Sequence, residues 1–173
     1  MKKKREKRVI SRILVPTDFS ECSAGALEYA IALAKPLQAD LILAHVIEPF
    51  PYTVVEGITF INYEERLVPE AQSSLDKLSK RPLREKLSVE THLTHGTPSR
   101  EILKLAEREG IDLIVMGTHG RTGIDRFFTG SVAEKVIRLS PCPVLAIPPR
   151  RANKGTAANP GGTARRKKQA ARR

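Results

Sequence analysis

Between residues 12 and 148 the apolar positions keep switching between two spacings. Short runs rich in β-branched residues are followed by longer stretches in which apolar residues return once per helical turn, so strands alternate with helices. Arg12 to Thr17 reads as the first strand. Ser20 caps a helix carrying Ala24, Leu27, Ile31 and Ala34 at helical spacing, until Pro36 discourages continuation. Residues 41–47 form the second strand, bounded by Pro49 and Pro51, and a looser segment, 50–61, leads to a polar helix near 63–80. Residues 88–94 alternate as a less completely covered strand does, at an edge of the sheet. Thr97 and Pro98 start a helix that Gly110 ends. Residues 111–116 are a fourth strand, Val132, Ala133, Val136 and Ile137 stripe a last helix, and residues 143–148 are a fifth strand. This alternation predicts an α/β fold, an open and mostly parallel sheet with helices on both faces.

The most distinctive segment links the fourth strand to the last helix, with glycines at 117, 120 and 130 followed by Ser131. First-turn amides have no partner inside their helix and carry about half a positive charge, so an anion is a natural guest there. Gly117, Gly120 and Gly130 remove side chains where backbone would approach a phosphate. A second reading makes Ser131 the helix cap and Glu134 its reciprocal partner in a capping box. The loop is not a Walker A motif, because Gly-x4-Gly-Lys-Ser/Thr occurs nowhere in the chain. Ligands of such sheets bind beyond the carboxyl ends of the strands, which here are Pro16-Thr17-Asp18, His45-Val46 and Met116-Gly117. Those ends offer a carboxylate, a backbone edge beside an apolar residue, and a glycine cradle. Each also has a structural reading: Asp18 as a helix-start residue, His45 as a packed or hydrogen-bonded strand residue, and Val46 and Met116 as core.

Charge changes the picture only at the two ends. The formal net charge is +11, yet residues 2–8 hold six Lys/Arg against Glu6, and residues 150–173 hold nine with no acid, so the stretch between is mildly acidic. The C-terminal tail has almost nothing to bury and is expected to be disordered. It could attract a polyanion nonspecifically, but it has no aromatic residue to stack on bases. Val9 and Ile10 give way at once to Ser11 and Arg12, which excludes a signal peptide, and no stretch is long enough for a transmembrane helix. Cys22 and Cys142 stand far apart with no Cys-x-x-Cys or Cys/His cluster, as incidental thiols of a reduced, cytoplasmic protein do.

Four pieces in order resemble the universal stress protein family: residues 13–20 (Ile-Leu-Val-Pro-Thr-Asp-Phe-Ser), the strand end 43–46, residues 114–120 (Ile-Val-Met-Gly-Thr-His-Gly), and Gly130-Ser131 followed by 141–145. The family signature Gly-x2-Gly-x9-Gly-Ser/Thr is met in full by Gly117, Gly120, Gly130 and Ser131. The resemblance covers residues 9–149 and leaves both tails outside it. It implies a Rossmann-like five-stranded parallel sheet of order 3-2-1-4-5, a homodimer through strand 143–147, and ATP in the nucleotide-binding branch. On that analogy Pro16, Thr17 and Asp18 line the adenosine, Val46 offers backbone contacts to adenine beside Met116, and Gly117, His119, Gly120, Gly130, Ser131 and Val132 surround ribose and phosphates. Arg121 stands where a basic side chain is common, and magnesium or manganese would bridge the phosphates. The implied role is that of a nucleotide-dependent stress sensor or partner-binding module with at most slow ATP hydrolysis, because no convincing base exists beyond Asp18 or His119. A nucleotide-free dimeric module, or nucleic-acid binding through the basic tails, remain the alternatives.

Overall fold

A computed structural model describes residues 10–49, 61–119 and 130–149. Among the described residues nine elements follow in the expected alternation: β1 (Arg12–Pro16), α1 (Glu21–Leu37), β2 (Asp40–Ile47), α2 (Ile61–Arg84), β3 (Val89–His95), α3 (Pro98–Arg108), β4 (Leu113–Gly117), α4 (Ser131–Leu139) and β5 (Val144–Ile147). The strands pair in the order β3-β2-β1-β4-β5, all parallel, as the family resemblance implies. β1 is central, paired with β2 from Arg12↔Asp40 to Pro16↔Ala44 and with β4 through Ile13↔Leu113 and Leu14↔Ile114.

Strand alternation sends successive side chains into two separate cores. Ile13, Val15, Leu41, Leu43 and Val115 meet the α1 residues Ala26, Ala30, Ile31 and Ala34 and the fully buried Leu75 of α2. Leu14, Ile42, Ala44, Ile114 and Met116 meet Ile102, Leu105 and Ala106 of α3 and Ala133 and Val136 of α4. Burying a side chain the size of Leu75 stabilises the fold by roughly 1.5–3 kcal/mol, which is what holds so polar a helix to the sheet. Leu78, Ala71 and Pro82 are buried or half-buried beside it, and at the carboxyl end of α2 Arg81 meets Glu28 of α1 at 3.3 Å while Lys35 of α1 meets Glu85, which Arg81 also holds at 2.6 Å. Such pairs contribute little on their own.

Three helices end by one device, and only one of them shows it in sequence. A left-handed residue follows or nearly follows the last turn, and the next amide reaches back to close it: Ala39 N–H to the Ala34 carbonyl at 3.1 Å, Leu87 to Pro82 at 3.2 Å, and Ile111 to Ala106 at 3.0 Å. At α3 the left-handed residue is Gly110 (φ 58°), as expected, but at α1 and α2 it is Gln38 (φ 50°) and Lys86 (φ 61°). Both helices therefore outrun the sequence reading. α1 passes through Pro36 to Leu37 and α2 runs through both Pro69 and Pro82 to Arg84, each proline giving up its own main-chain bond to the preceding turn without ending the helix. β4 starts two residues later than its apolar run, because Asp112 is used to stitch the sheet: its carboxylate accepts from the amides of Ser11 at 2.7 Å and Arg12 at 2.9 Å.

α1 lies unusually close to the end of β4. A Cβ on Gly117 would fall 2.8 Å from the Cys22 sulfur and 3.1 Å from its carbonyl carbon. Gly117→Ala should therefore lower unfolding stability by about 1–3 kcal/mol in denaturant titrations. Adding Cys22→Ala should recover only part of that loss, since one of the two close contacts is backbone.

Candidate functional site

The carboxyl ends of β1, β2 and β4 open into a cleft of about 670 Å³. It lies where the strand order reverses: the chain steps outward from β1 through β2 to β3, then returns to the far side of β1 as β4. After β1 the chain turns toward the face covered by α1, and after β4 toward the face covered by α4, so the two connections part and leave a crevice. Ten of the twelve residues singled out in the sequence line it: Pro16, Thr17, Asp18, Val46, Met116, Gly117, His119, Gly130, Ser131 and Val132. Gly120 and Arg121 lie outside the described residues, as do the looser segment at 50–60 and both charged tails.

One wall is the turn from β1 into α1. Thr17 N–H continues the sheet by donating to the Ala44 carbonyl at 2.8 Å, and the Thr17 hydroxyl oxygen accepts from Phe19 N–H at 3.0 Å. The Asp18 carboxylate accepts from the Ser20 amide at 3.1 Å and the Ser20 hydroxyl at 2.6 Å, an Asx turn. Ser20 in turn caps α1, accepting from Ser23 N–H at 3.2 Å. Asp18 thus serves the helix start through Ser20 while still lining the cleft. Burial pulls its pKa upward, but the hydrogen bonds from Ser20 and Ser23 outweigh that and hold the carboxyl below its ordinary value. Phe19 sits at φ 65°, a conformation uncommon outside glycine and frequent at binding sites. Its ring lies 4.4 Å from that of His45. His45 is hydrogen-bonded, as its structural reading held, with Nδ1 2.7 Å from the Thr17 carbonyl.

The opposite wall is the glycine segment and the start of α4. Thr118 N–H donates to the Ile147 carbonyl at 2.9 Å, and Gly130 N–H donates to the Thr118 carbonyl at 2.7 Å, so the chain returns at 130 to the point it left at 118. The Thr118 hydroxyl also meets His119 Nδ1 at 2.8 Å. Gly130 is the cap residue, and Glu134 N–H donates to its carbonyl at 3.0 Å. This displaces the capping box: Ser131 is the first helical residue, one position too late to be its cap, and it lies exposed at the rim. The amides of the first turn therefore present to the cleft without a capping side chain over them. Gly117 lines the cleft and answers to packing as well, since its missing Cβ makes room for Cys22.

Several lining residues escaped the sequence reading. Leu67, Glu70, Ala71 and Ser74 bring α2 over the cleft, and Pro98 and Ile102 bring α3. The signal was present as the stripe 67, 71, 74 and 75 on a helix otherwise read as polar, but nothing local says which strand end that stripe covers. At the other end of the sheet, ligand atoms of Glu90, His92 and Glu109 lie within 4.8 Å of one another. Arg12 already balances this group, 3.2 Å from Glu90, 3.3 Å from the Glu109 carboxylate and 2.7 Å from the Glu109 carbonyl. Among the described residues no helix is long and apolar enough to cross a membrane.

A parallel α/β sheet with a cleft at its reversal point, walled by a carboxylate turn and a glycine segment, defines the class of domain, and comparison with known proteins says which family it is. The model of the universal stress protein family matches residues 10–148, and the chain belongs to that family. It is 38% identical to universal stress protein MJ0531 of Methanocaldococcus jannaschii over 138 residues, 79% of this chain and 81% of that protein. Among solved structures, MJ0577 of the same organism superimposes with a TM-score of 0.72 at 34% identity, covering 83% of this chain and 99% of its own. A universal stress protein of Archaeoglobus fulgidus, solved in complex with dAMP, shares the fold at a TM-score of 0.59 and 24% identity, covering 80% of this chain and 98% of its own.

Because the folded protein holds Asp18 below its ordinary pKa, it binds fewer protons there than the unfolded chain in acid. The resulting stability is complete above about pH 4 and is lost as pH falls through the lowered value. Unfolding midpoints of the wild type and Asp18→Asn, followed from about pH 6 to about pH 2.5, should therefore converge on acidification.

Proposed function

We propose that the cleft binds an adenine nucleotide, ATP in particular, and that the protein acts as a nucleotide-dependent sensor or partner-binding module. The observation that carries this reading is the convergence, around one 670 Å³ space, of the Asp18 turn, the end of β2 at Val46 and the first turn of α4. The volume lies within the range of small-molecule sites, about 300–1,000 Å³. Pro16, Val46, Met116 and Ile102 supply apolar walls for the base. The Asp18 carboxylate suits ribose hydroxyls as an acceptor, and the amides around Gly130, Ser131 and Val132 suit phosphate oxygens. The neighbouring carboxylates Asp18, Glu48 and Glu70 form no three-ligand cluster among the described residues, so magnesium or manganese would enter with the phosphates. The cleft binds the nucleotide without rapid turnover, and the function comes from what the occupied cleft presents to a partner.

Calorimetric titration of the full chain with MgATP tests it, using Ser131→Glu as the probe. A carboxylate at the first position of α4 suits the helix, so thermal stability should hold, yet it opposes bound phosphates. The expected outcome is a wild-type binding isotherm and at least about a tenfold loss of affinity in the variant. Absence of binding to the wild type, or equal affinity in both, would refute the site.

The same reading includes a homodimer through β5, which ends the sheet among the described residues. Bonds from Ile114 N–H to the Pro143 carbonyl and from Thr118 N–H to the Ile147 carbonyl show that odd-numbered positions face β4, so the main-chain groups of Ala146 face outward. Exposed Ile137 and Leu139 of the adjoining α4 add apolar surface. Ala146→Pro should weaken self-association by at least about tenfold in sedimentation equilibrium while leaving the monomer folded.

A further inference from the structure

We propose that His45 is a positioning residue of the cleft: its imidazole replaces the next rung of the β1–β2 ladder and so fixes the turn that carries Asp18. This deepens the nucleotide reading and rests on it. The paired residues of β1 and β2 end at Pro16↔Ala44, with Thr17 N–H still donating to the Ala44 carbonyl at 2.8 Å. Were the ladder to continue, the Thr17 carbonyl would accept from the main-chain amide of Val46. It accepts instead from His45 Nδ1 at 2.7 Å, and since a carbonyl can only accept, Nδ1 carries a proton and donates.

Two consequences follow for the site. First, β1 can peel away from β2 after Thr17 without leaving that carbonyl unsatisfied, and the main-chain groups of Val46, on the same side of β2 as those of Ala44, point past the end of β1 toward the cleft. Second, the turn is held at two points by one side chain, at the Thr17 carbonyl through Nδ1 and at the left-handed Phe19 through ring contact at 4.4 Å. Asp18 lies between those two points. Its carboxylate orientation therefore depends on a residue of the neighbouring strand.

The test uses the full chain, MgATP calorimetry and amide hydrogen exchange. H45F keeps an aromatic ring and loses the bond; H45N keeps a side-chain N–H at the Nδ1 position. H45F should lower MgATP affinity about tenfold and speed exchange of the Phe19 and Ser20 amides, while H45N recovers most of both. In a D18N background H45F should cost no more than about twofold, because the effect acts through Asp18. A residue that merely packs would give the same loss in both backgrounds, and that result, or unchanged affinity and exchange in H45F, overturns the proposal. If the wild type binds no MgATP, the nucleotide reading fails by itself, and exchange at Phe19 and Ser20 still decides whether His45 holds the turn. Should H45F not fold, H45Q takes its place: its N–H sits one bond too far out, so it should behave as H45F is expected to and H45N as the wild type.

Discussion

Parallel pairing of all five strands is the constraint from which the rest of this protein follows. When every strand runs one way, each must be followed by a crossover, and the crossovers here are helices that bury both faces of the sheet. All strand carboxyl ends and all helix amino ends then share one rim. Hydrophobic burial fixes the layers, while the partial positive charge of the helix ends and the loose ends of the ladders collect where no layer covers them. The cleft is therefore a by-product of direction. It opens at β1 and β4, whose onward connections leave for opposite faces.

What shapes that opening is close packing as much as ligand chemistry. Ala26, Ala30 and Ala34 let α1 lie low on the sheet, and Gly117 lets its first turn reach the end of β4 beside Cys22. The turn before α1 is then short, and it is filled with hydrogen bonds among Thr17, Asp18, Phe19, Ser20 and Ser23. Such a turn can hold Phe19 in a left-handed conformation because the surrounding bonds over-determine it. The opposite wall is built more economically, from the bare first turn of a helix and a glycine cap.

Much of this was legible in the residues. Apolar periodicity marked the strands and the first and last helices, since burial on a strand or helix face repeats within a few residues and leaves a local trace, while α2 was read from its polar run and α3 from its start and stop residues. The same holds for Ser20 as a cap and Gly110 as a stop, each acting within a turn of its own position. Where a stop used Gln38 or Lys86 in place of glycine, the trace vanished and the helices ran longer than read. The strand order came from resemblance to a family, because periodicity says which positions are buried but not which strand lies beside which.

The sequence by itself therefore determined the kinds of element, their alternation, the family and ten residues that do meet in one cleft, because each of these is written in short-range patterns. Only the tertiary structure decided that α2 and α3 supply part of its wall, that Ser131 begins α4 instead of capping it, that Gly117 answers to Cys22, and that His45 bonds a carbonyl 28 residues away. Those facts depend on how separate elements are set against one another. That placement is governed by the packing of whole faces, to which no single stretch of the chain carries the key.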